Sequence, residues 1–126
     1  MAFYTDKIFE HARHPKNFGR VVDPDVQFEE LNPLCGDRIR VELRFANGGQ
    51  ILEARFSGEM CAIAKGSASI IFESLEGRTV AAASAISDAE VLENLAGAIP
   101  KNRIQCALLP ILALRGAVRS EGAVGR

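Results

Sequence analysis

Apolar and charged residues alternate along residues 38–45, where Ile39, Val41, Leu43 and Phe45 are separated by charged side chains. A period of two predicts a β-strand with one buried face. The glycine-rich turn Asn47-Gly48-Gly49 follows, which is typical of a β-hairpin. Residues 51–56 are therefore predicted to form the partner strand, and residues 26–31 are a candidate for a third.

On either side of these strands the apolar spacing changes to a helical period. Residues 3–13 are predicted to form a short amphipathic helix, which residues 14–19 end because they contain Pro15 and Gly19. Residues 61–75 are rich in alanine and serine and predict a second helix, with Gly77 as its C-terminal stop.

Two further helices are predicted in the C-terminal third. Ser87-Asp88-Ala89-Glu90 fits a capping box that begins a helix ending at Leu95. A last helix over residues 106–118 places Pro110 in the first turn, where the missing N–H has no helical partner in any case. Residues 119–126 are predicted to be a frayed tail.

This order of elements predicts an α+β fold, with a small antiparallel three-stranded sheet packed by helices. No repeat or linker divides the sequence, and 126 residues suit one core, so residues 1–126 are predicted to be a single domain. The net charge of −1 gives no bulk attraction to nucleic acid or membrane lipid. Since no apolar run approaches ~20 residues and no signal peptide is recognisable, we expect a cytoplasmic protein.

The three cysteines, at positions 35, 61 and 106, are the candidate chemistry. An odd number suits a reducing compartment, in which every thiol stays available for a metal. Their spacing matches no local metal motif, and inert buried cysteines are the alternative. Each cysteine nevertheless lies at the end of a predicted element, and a helix N-terminus at Cys61 and Cys106 favours a thiolate with a lowered pKa.

Asp37 is the predicted fourth member of this site, because it follows Cys35 across a single glycine. Three thiolates and one carboxylate provide four tetrahedral ligands, which suit zinc or one edge of an iron–sulfur cluster. The alternative is a turn aspartate bonded to its own backbone. No metal role is predicted for His11 or His14, and Lys65 is predicted to be a surface lysine.

Four segments resemble the U-type iron–sulfur scaffold family, which comprises the IscU, NifU and SufU proteins. Residues 14–19 are similar to its N-terminal signature, and Asn32-Pro33-Leu34-Cys35-Gly36-Asp37 to its first ligand loop. Residues 58–69 around Cys61 and residues 103–110 around Cys106 are similar to the second and third. The resemblance runs from about Tyr4 to Val118 and implies that Cys35, Asp37, Cys61 and Cys106 converge at one exposed end of the domain.

The resemblance implies an iron–sulfur cluster assembly scaffold, without enzymatic activity, that builds a 2Fe–2S cluster on these four residues and passes it to apo acceptor proteins. The alternative is a SufU-like zinc-dependent sulfurtransferase, in which Cys35 accepts persulfide sulfur. Both functions imply a cysteine desulfurase partner, and zinc is the implied metal of the resting protein.

Four features depart from the patterns of the family and its branches. Gln105 stands where cluster scaffolds carry a histidine, and this difference favours the sulfurtransferase. The SufU branch carries an insertion between the second and third cysteines, which the 44 residues between Cys61 and Cys106 lack, and this difference favours the scaffold. Residues 99–103 replace the Leu-Pro-Pro-Val-Lys motif that engages a dedicated Hsp70 chaperone, so this partner is not expected. Met60 replaces a usual glycine and would be strained if its φ were positive.

Overall fold

A computed structural model describes residues 6–33, 35–95 and 99–124, with side chains up to residue 120. Its elements are three antiparallel strands and five α-helices, which confirms the predicted α+β class. Within these residues no helix is both long and apolar enough to cross a bilayer. The elements are α1 (Asp6–Arg13), β1 (Val26–Asn32), β2 (Asp37–Phe45), β3 (Ile51–Ser57), α2 (Ala62–Glu73), α3 (Val80–Ser84), α4 (Asp88–Asn94) and α5 (Ile104–Val124).

The three strands form one meander in the order β1-β2-β3. The alternation in β2 determines which face is buried: Ile39, Val41 and Leu43 are fully buried and pack with Phe56 of β3. Helix α5 lies against β1 and β2, and α2 packs on α5 and α1. A Cβ at Gly116 would come within 2.3 Å of the Phe28 ring, so this glycine permits the close approach of α5 to β1.

Residues 14–19 end α1, as predicted, and then run beside the outer edge of β3. The Gly19 N–H donates to the Phe56 carbonyl at 2.8 Å, and the Phe56 N–H donates to the Asn17 carbonyl at 3.0 Å. The Phe18 ring meets the Phe56 ring edge-on at a centroid distance of 5.4 Å. In this protein the N-terminal signature therefore joins the edge of the sheet.

The C-terminal half differs from the prediction in four places. The predicted helix start is present, since the Ser87 hydroxyl caps α4 by accepting from the Glu90 N–H, but α3 and a short 3-10 helix at Lys101–Arg103 were not predicted. Helix α5 begins at Ile104, so Pro110 is its seventh residue and the prediction of a first-turn proline is wrong. The backbone stays helical to Val124, through most of the segment predicted to be a frayed tail.

A buried ion cluster lies on the other face of the sheet. Glu42 is only 1% exposed, and its carboxylate accepts from Arg20 at 2.7 Å, Arg40 at 2.9 Å and the Val21 N–H at 2.6 Å. Burial raises the pKa of Glu42, but these three donors outweigh it and hold the pKa below its ordinary value of 4.5. Arg40, one of the charged residues that alternate along β2, is thus paired within the sheet.

We expect Glu42→Gln to lower the free energy of unfolding by about 2 kcal/mol at pH 7, since it removes a charged acceptor from two arginines. A lowered carboxyl pKa stabilises the fold above pH 4.5, and this contribution disappears as the pH falls through the lower, folded-state pKa. Urea unfolding from pH 7 to pH 3 should therefore show the variant converging on the wild type in acid. Glu29→Gln is the matched control, because Glu29 pairs with Arg40 at 3.8 Å on the exposed surface. An equal loss of unfolding free energy in both variants would contradict the stabilising role of the buried Glu42 carboxylate.

Candidate metal centre

Cys35 lies in the short turn that connects β1 to β2. The Asn32 carbonyl accepts from the N–H of Cys35 at 3.3 Å and from the N–H of Gly36 at 2.8 Å. Gly36 has φ +78°, a left-handed conformation that glycine adopts without strain. This tight turn leaves the Cys35 side chain exposed and starts β2 at Asp37.

Asp37 is 7% exposed and is held by the loop that precedes α2. Its Oδ1 accepts from the Cys61 N–H at 3.2 Å, whereas its Oδ2 is buried and has no hydrogen-bond partner. A buried carboxylate oxygen without a partner costs free energy unless another group, such as a cation, satisfies it. The alternative of a turn aspartate bonded to its own backbone does not describe this geometry.

Cys61 and Cys106 lie at the starts of two helices that pack together. Cys61 is the N-cap of α2 and is partly exposed, and Cys106 is the third residue of α5 and 2% exposed. The Sγ atoms of Cys106 and Cys35 are 3.8 Å apart. Two thiolates bound ~2.3 Å from one tetrahedral zinc ion are separated by about the same distance.

Three of the four predicted residues form the closest group. The ligand atoms of Cys35, Asp37 and Cys106 all lie within 4.8 Å of one another. Cys61 lies outside this group, but its N–H holds Asp37 and its thiol interacts with the thiol of Cys106. The donor set of thiols and one carboxylate oxygen fits zinc or iron, because soft sulfur ligands select these metals over magnesium or calcium.

The environment of Cys106 differs from the prediction. Burial, together with the neighbouring thiols of Cys61 and Cys35, raises the pKa of Cys106 to about 12, although the Arg103 guanidinium 3.9 Å from its sulfur lowers it. The prediction that the helix start lowers this pKa is therefore wrong, because desolvation of the buried thiolate outweighs the helix dipole. A metal that binds Cys106 must displace its proton.

Three further residues lie near these ligands. Met60 does not have a positive φ, so it is not strained, and it packs against both clusters of buried hydrophobic residues. Arg103 was overlooked, although its position three residues before Cys106 is the spacing at which helical side chains meet. Gln105 is exposed and lines a cavity of about 260 Å³ together with Pro33.

The remaining candidates take structural roles. The Lys65 ammonium lies 5.0 Å from the centroid of the Phe18 ring, in a cation–π contact. His11 forms a hydrogen bond of 2.6 Å with the buried hydroxyl of Ser69, and its Nε2 is 4.0 Å from the Glu73 carboxylate. The two His11 contacts join α1 to α2.

The sequence of this chain matches the family model of the NifU-like N terminal domain over residues 3–121. The chain belongs to this family. A U-type relative, the iron–sulfur cluster assembly scaffold protein IscU of Azotobacter vinelandii, is 34% identical over 119 residues, covering 92% of this chain and 91% of the relative. The zinc-dependent sulfurtransferase SufU of Bacillus subtilis is 30% identical over 139 aligned positions, covering 94% of this chain and 92% of that protein.

The fold agrees with this family assignment. The crystal structure of the N-terminal part of a NifU-like protein from Brucella abortus superposes with a TM-score of 0.82 and covers 96% of this chain and 95% of that one. At 20% identity the likeness concerns the fold. The U-type family that was expected from the four motifs is thus confirmed.

Proposed function

We propose that this protein is an iron–sulfur cluster assembly scaffold, on which iron and sulfide are joined into a 2Fe–2S cluster that is then passed to apo acceptor proteins. The observation that carries the proposal is the convergence of Cys35, Asp37 and Cys106, whose ligand atoms lie within 4.8 Å of one another. The similarity to scaffold proteins named IscU over nine-tenths of the chain supports the same function.

In this proposal the cluster is cargo, held by the thiolates of Cys35, Cys61 and Cys106 and by the carboxylate of Asp37. Cys35 is exposed, so the ligand group is open to solvent on its side, whereas Cys106 is enclosed by the hydrophobic core. The arrangement allows iron and sulfide to enter past Cys35. A cysteine desulfurase is the proposed source of sulfur, because a scaffold cannot make sulfide by itself.

Zinc fits the same residues as the metal of the resting protein. The unpartnered Oδ2 of Asp37 and the 3.8 Å separation of the Cys35 and Cys106 sulfurs suit an ion held by these two thiolates and the carboxylate, with the Cys61 thiolate as the proposed fourth ligand. Bound zinc would keep the thiols deprotonated. The Cys61 N–H orients Asp37 for this role through its hydrogen bond to Oδ1.

The second candidate function is zinc-dependent sulfur transfer, with Cys35 as the acceptor of persulfide sulfur. The SufU relative and Gln105, in place of the histidine of cluster scaffolds, favour it. Against it, the alignment with SufU is longer than this chain, so SufU carries residues that have no counterpart here, whereas the alignment with IscU spans 119 positions. We therefore place the scaffold first.

An anaerobic reconstitution separates the two functions. Zinc-depleted protein is mixed with a cysteine desulfurase and cysteine, with and without ferrous iron and an electron donor. The scaffold should develop the visible absorption of a 2Fe–2S cluster only when iron is present, and should transfer it to an apo-ferredoxin. A persulfide on Cys35 detected by mass spectrometry, with no cluster under any condition, would instead establish the sulfur relay.

Asp37→Ala should still form a cluster but release it several-fold more slowly to an apo-ferredoxin. Oxygen is a weaker ligand for iron than sulfur, so the carboxylate is the place where an acceptor thiolate enters. Transfer is measured by circular dichroism after anaerobic reconstitution, and Asp25→Ala, at a carboxylate that accepts from Phe45 N–H near the hairpin, is the control. Transfer at the wild-type rate would refute this role.

A further inference from the structure

The Cys35 and Cys106 sulfurs are placed for a reaction with each other as well as with a metal. They lie 3.8 Å apart, and a disulfide requires about 2.05 Å, so a relative movement of less than ~2 Å would bring them to bonding distance. The two residues are 71 positions apart in the chain, so that a bond between them would join the β1–β2 turn to the start of α5.

The two cysteines differ in exposure and in support. Cys35 is exposed in a turn next to Gly36, whereas Cys106 is 2% exposed and lies within a helix that packs against the sheet. An oxidant from solvent therefore reaches Cys35 first. The turn is also the side that can shift, because a helix fixed by core packing moves less than a surface connection.

Cys61 is a less suitable partner for Cys35. Its backbone is fixed at the N-cap of α2 by the hydrogen bond from its N–H to Asp37, and its sulfur lies outside the closest ligand group. Although its thiol interacts with Cys106, the Cys61 side chain is less exposed than Cys35. The expected product is thus one disulfide and one remaining thiol.

We propose that, when no metal is bound, a peroxide converts Cys35 and Cys106 into a reversible disulfide that closes the site. The Cys35 sulfur attacks a peroxide oxygen, the O–O bond breaks, and a sulfenic acid and one water form. The Cys106 sulfur then attacks the Cys35 sulfur, so that the S–S bond forms, the S–O bond breaks, and the hydroxyl leaves as water with the Cys106 proton. Two thiols lose two electrons and hydrogen peroxide gains them.

The disulfide removes two of the three thiolates proposed as ligands, so neither zinc nor a cluster can bind until a thiol reductant opens it. This consequence rests on the proposed function, whereas the formation of the disulfide does not. Bound metal should slow the reaction, since a coordinated thiolate is no longer free to attack peroxide. The disulfide would prevent an oxidised scaffold from binding a metal or a cluster.

The test treats zinc-depleted protein with hydrogen peroxide, blocks remaining thiols with iodoacetamide and digests with trypsin without reduction. The expected cross-link joins the peptides spanning residues 21–38 and 104–115, while the peptide of residues 56–65 carries one alkylated cysteine. Cys61→Ser should give the same cross-link, and Cys106→Ser should give none to Cys35. A main product that contains Cys61, a mixture of all three pairings, or only sulfinic acid on Cys35 would overturn the proposal.

A parallel measurement separates this inference from the proposed function. Zinc binding is followed by native mass spectrometry before oxidation, after oxidation and after reduction with dithiothreitol. If zinc binding is lost on oxidation and returns on reduction, the result supports the proposal that the disulfide closes the metal site. Zinc binding that survives formation of the 35–106 disulfide overturns the closure alone, whereas a reduced protein that binds neither zinc nor iron refutes the proposed function while leaving the cross-link result intact.

Discussion

Cys106→Ser is expected to abolish most of the rise in thermal stability that zinc gives to the wild-type protein. A metal that binds only the folded state stabilises it by about 2.7 kcal/mol when its free concentration is a hundred times Kd. For a domain of this length that corresponds to a rise in Tm of about 10 °C. A serine hydroxyl is a poor zinc ligand, so the variant should keep less than about a third of this rise.

The measurement is differential scanning calorimetry with zinc and with a chelator, because the difference between the two isolates the metal from any packing defect. Ile63→Val is the matched control, since Ile63 is 2% exposed and packs in the same cluster of buried residues as Cys106. It should lower stability by about 1 kcal/mol in both conditions and retain the full zinc effect. An unchanged zinc effect in Cys106→Ser would show that this thiol is not a ligand.

Gly58→Ala is expected to destabilise the fold by about 3 kcal/mol or more. Gly58 has φ +128°, and a Cβ there would lie 2.3 Å from the Arg38 carbonyl oxygen in β2. The adjacent Glu59 carbonyl accepts from the Arg38 N–H at 2.8 Å, so relief of the clash would also pull the loop that carries Cys61 away from Asp37. Zinc affinity should fall together with stability.

Urea unfolding of the zinc-depleted protein measures the first effect, and competition with a chromogenic chelator measures the second. Gly48→Ala is the control for backbone strain alone, because Gly48 has φ +88° and nothing lies within 4 Å of the position that an alanine methyl group would take there. It should cost only about 1 kcal/mol and leave zinc affinity unchanged. Equal losses of unfolding free energy in the two variants would mean that the close contact between Gly58 and β2 does not contribute to stability.

The local sequence pattern was sufficient for most elements. The alternation of residues 38–45 predicted β2, and Asn47-Gly48-Gly49 predicted the hairpin, because a strand of period two and its turn depend on neighbouring residues only. Ser87 predicted the start of α4 for the same reason. The five-residue α3 was not predicted, since so short a helix depends on contacts with the rest of the fold more than on its own sequence.

Helix α5 shows where local rules fail. Pro110 was expected to mark a first turn, but the helix begins at Ile104 and continues to Val124. The proline removes the N–H that would otherwise reach the Cys106 carbonyl, yet packing of α5 against the sheet outweighs this loss. The energy that decides the length of this helix comes from residues distant in the chain.

The sequence by itself determined the candidate ligands Cys35, Asp37, Cys61 and Cys106, because residue type and motif are properties of the chain. Only the tertiary structure decided their environment: it buries Cys106 and raises its pKa to about 12, leaves Cys35 exposed, and gives one Asp37 oxygen a donor while the other has none. Desolvation and distance arise from packing between segments as far apart as residues 35 and 106. These quantities are therefore absent from any local pattern.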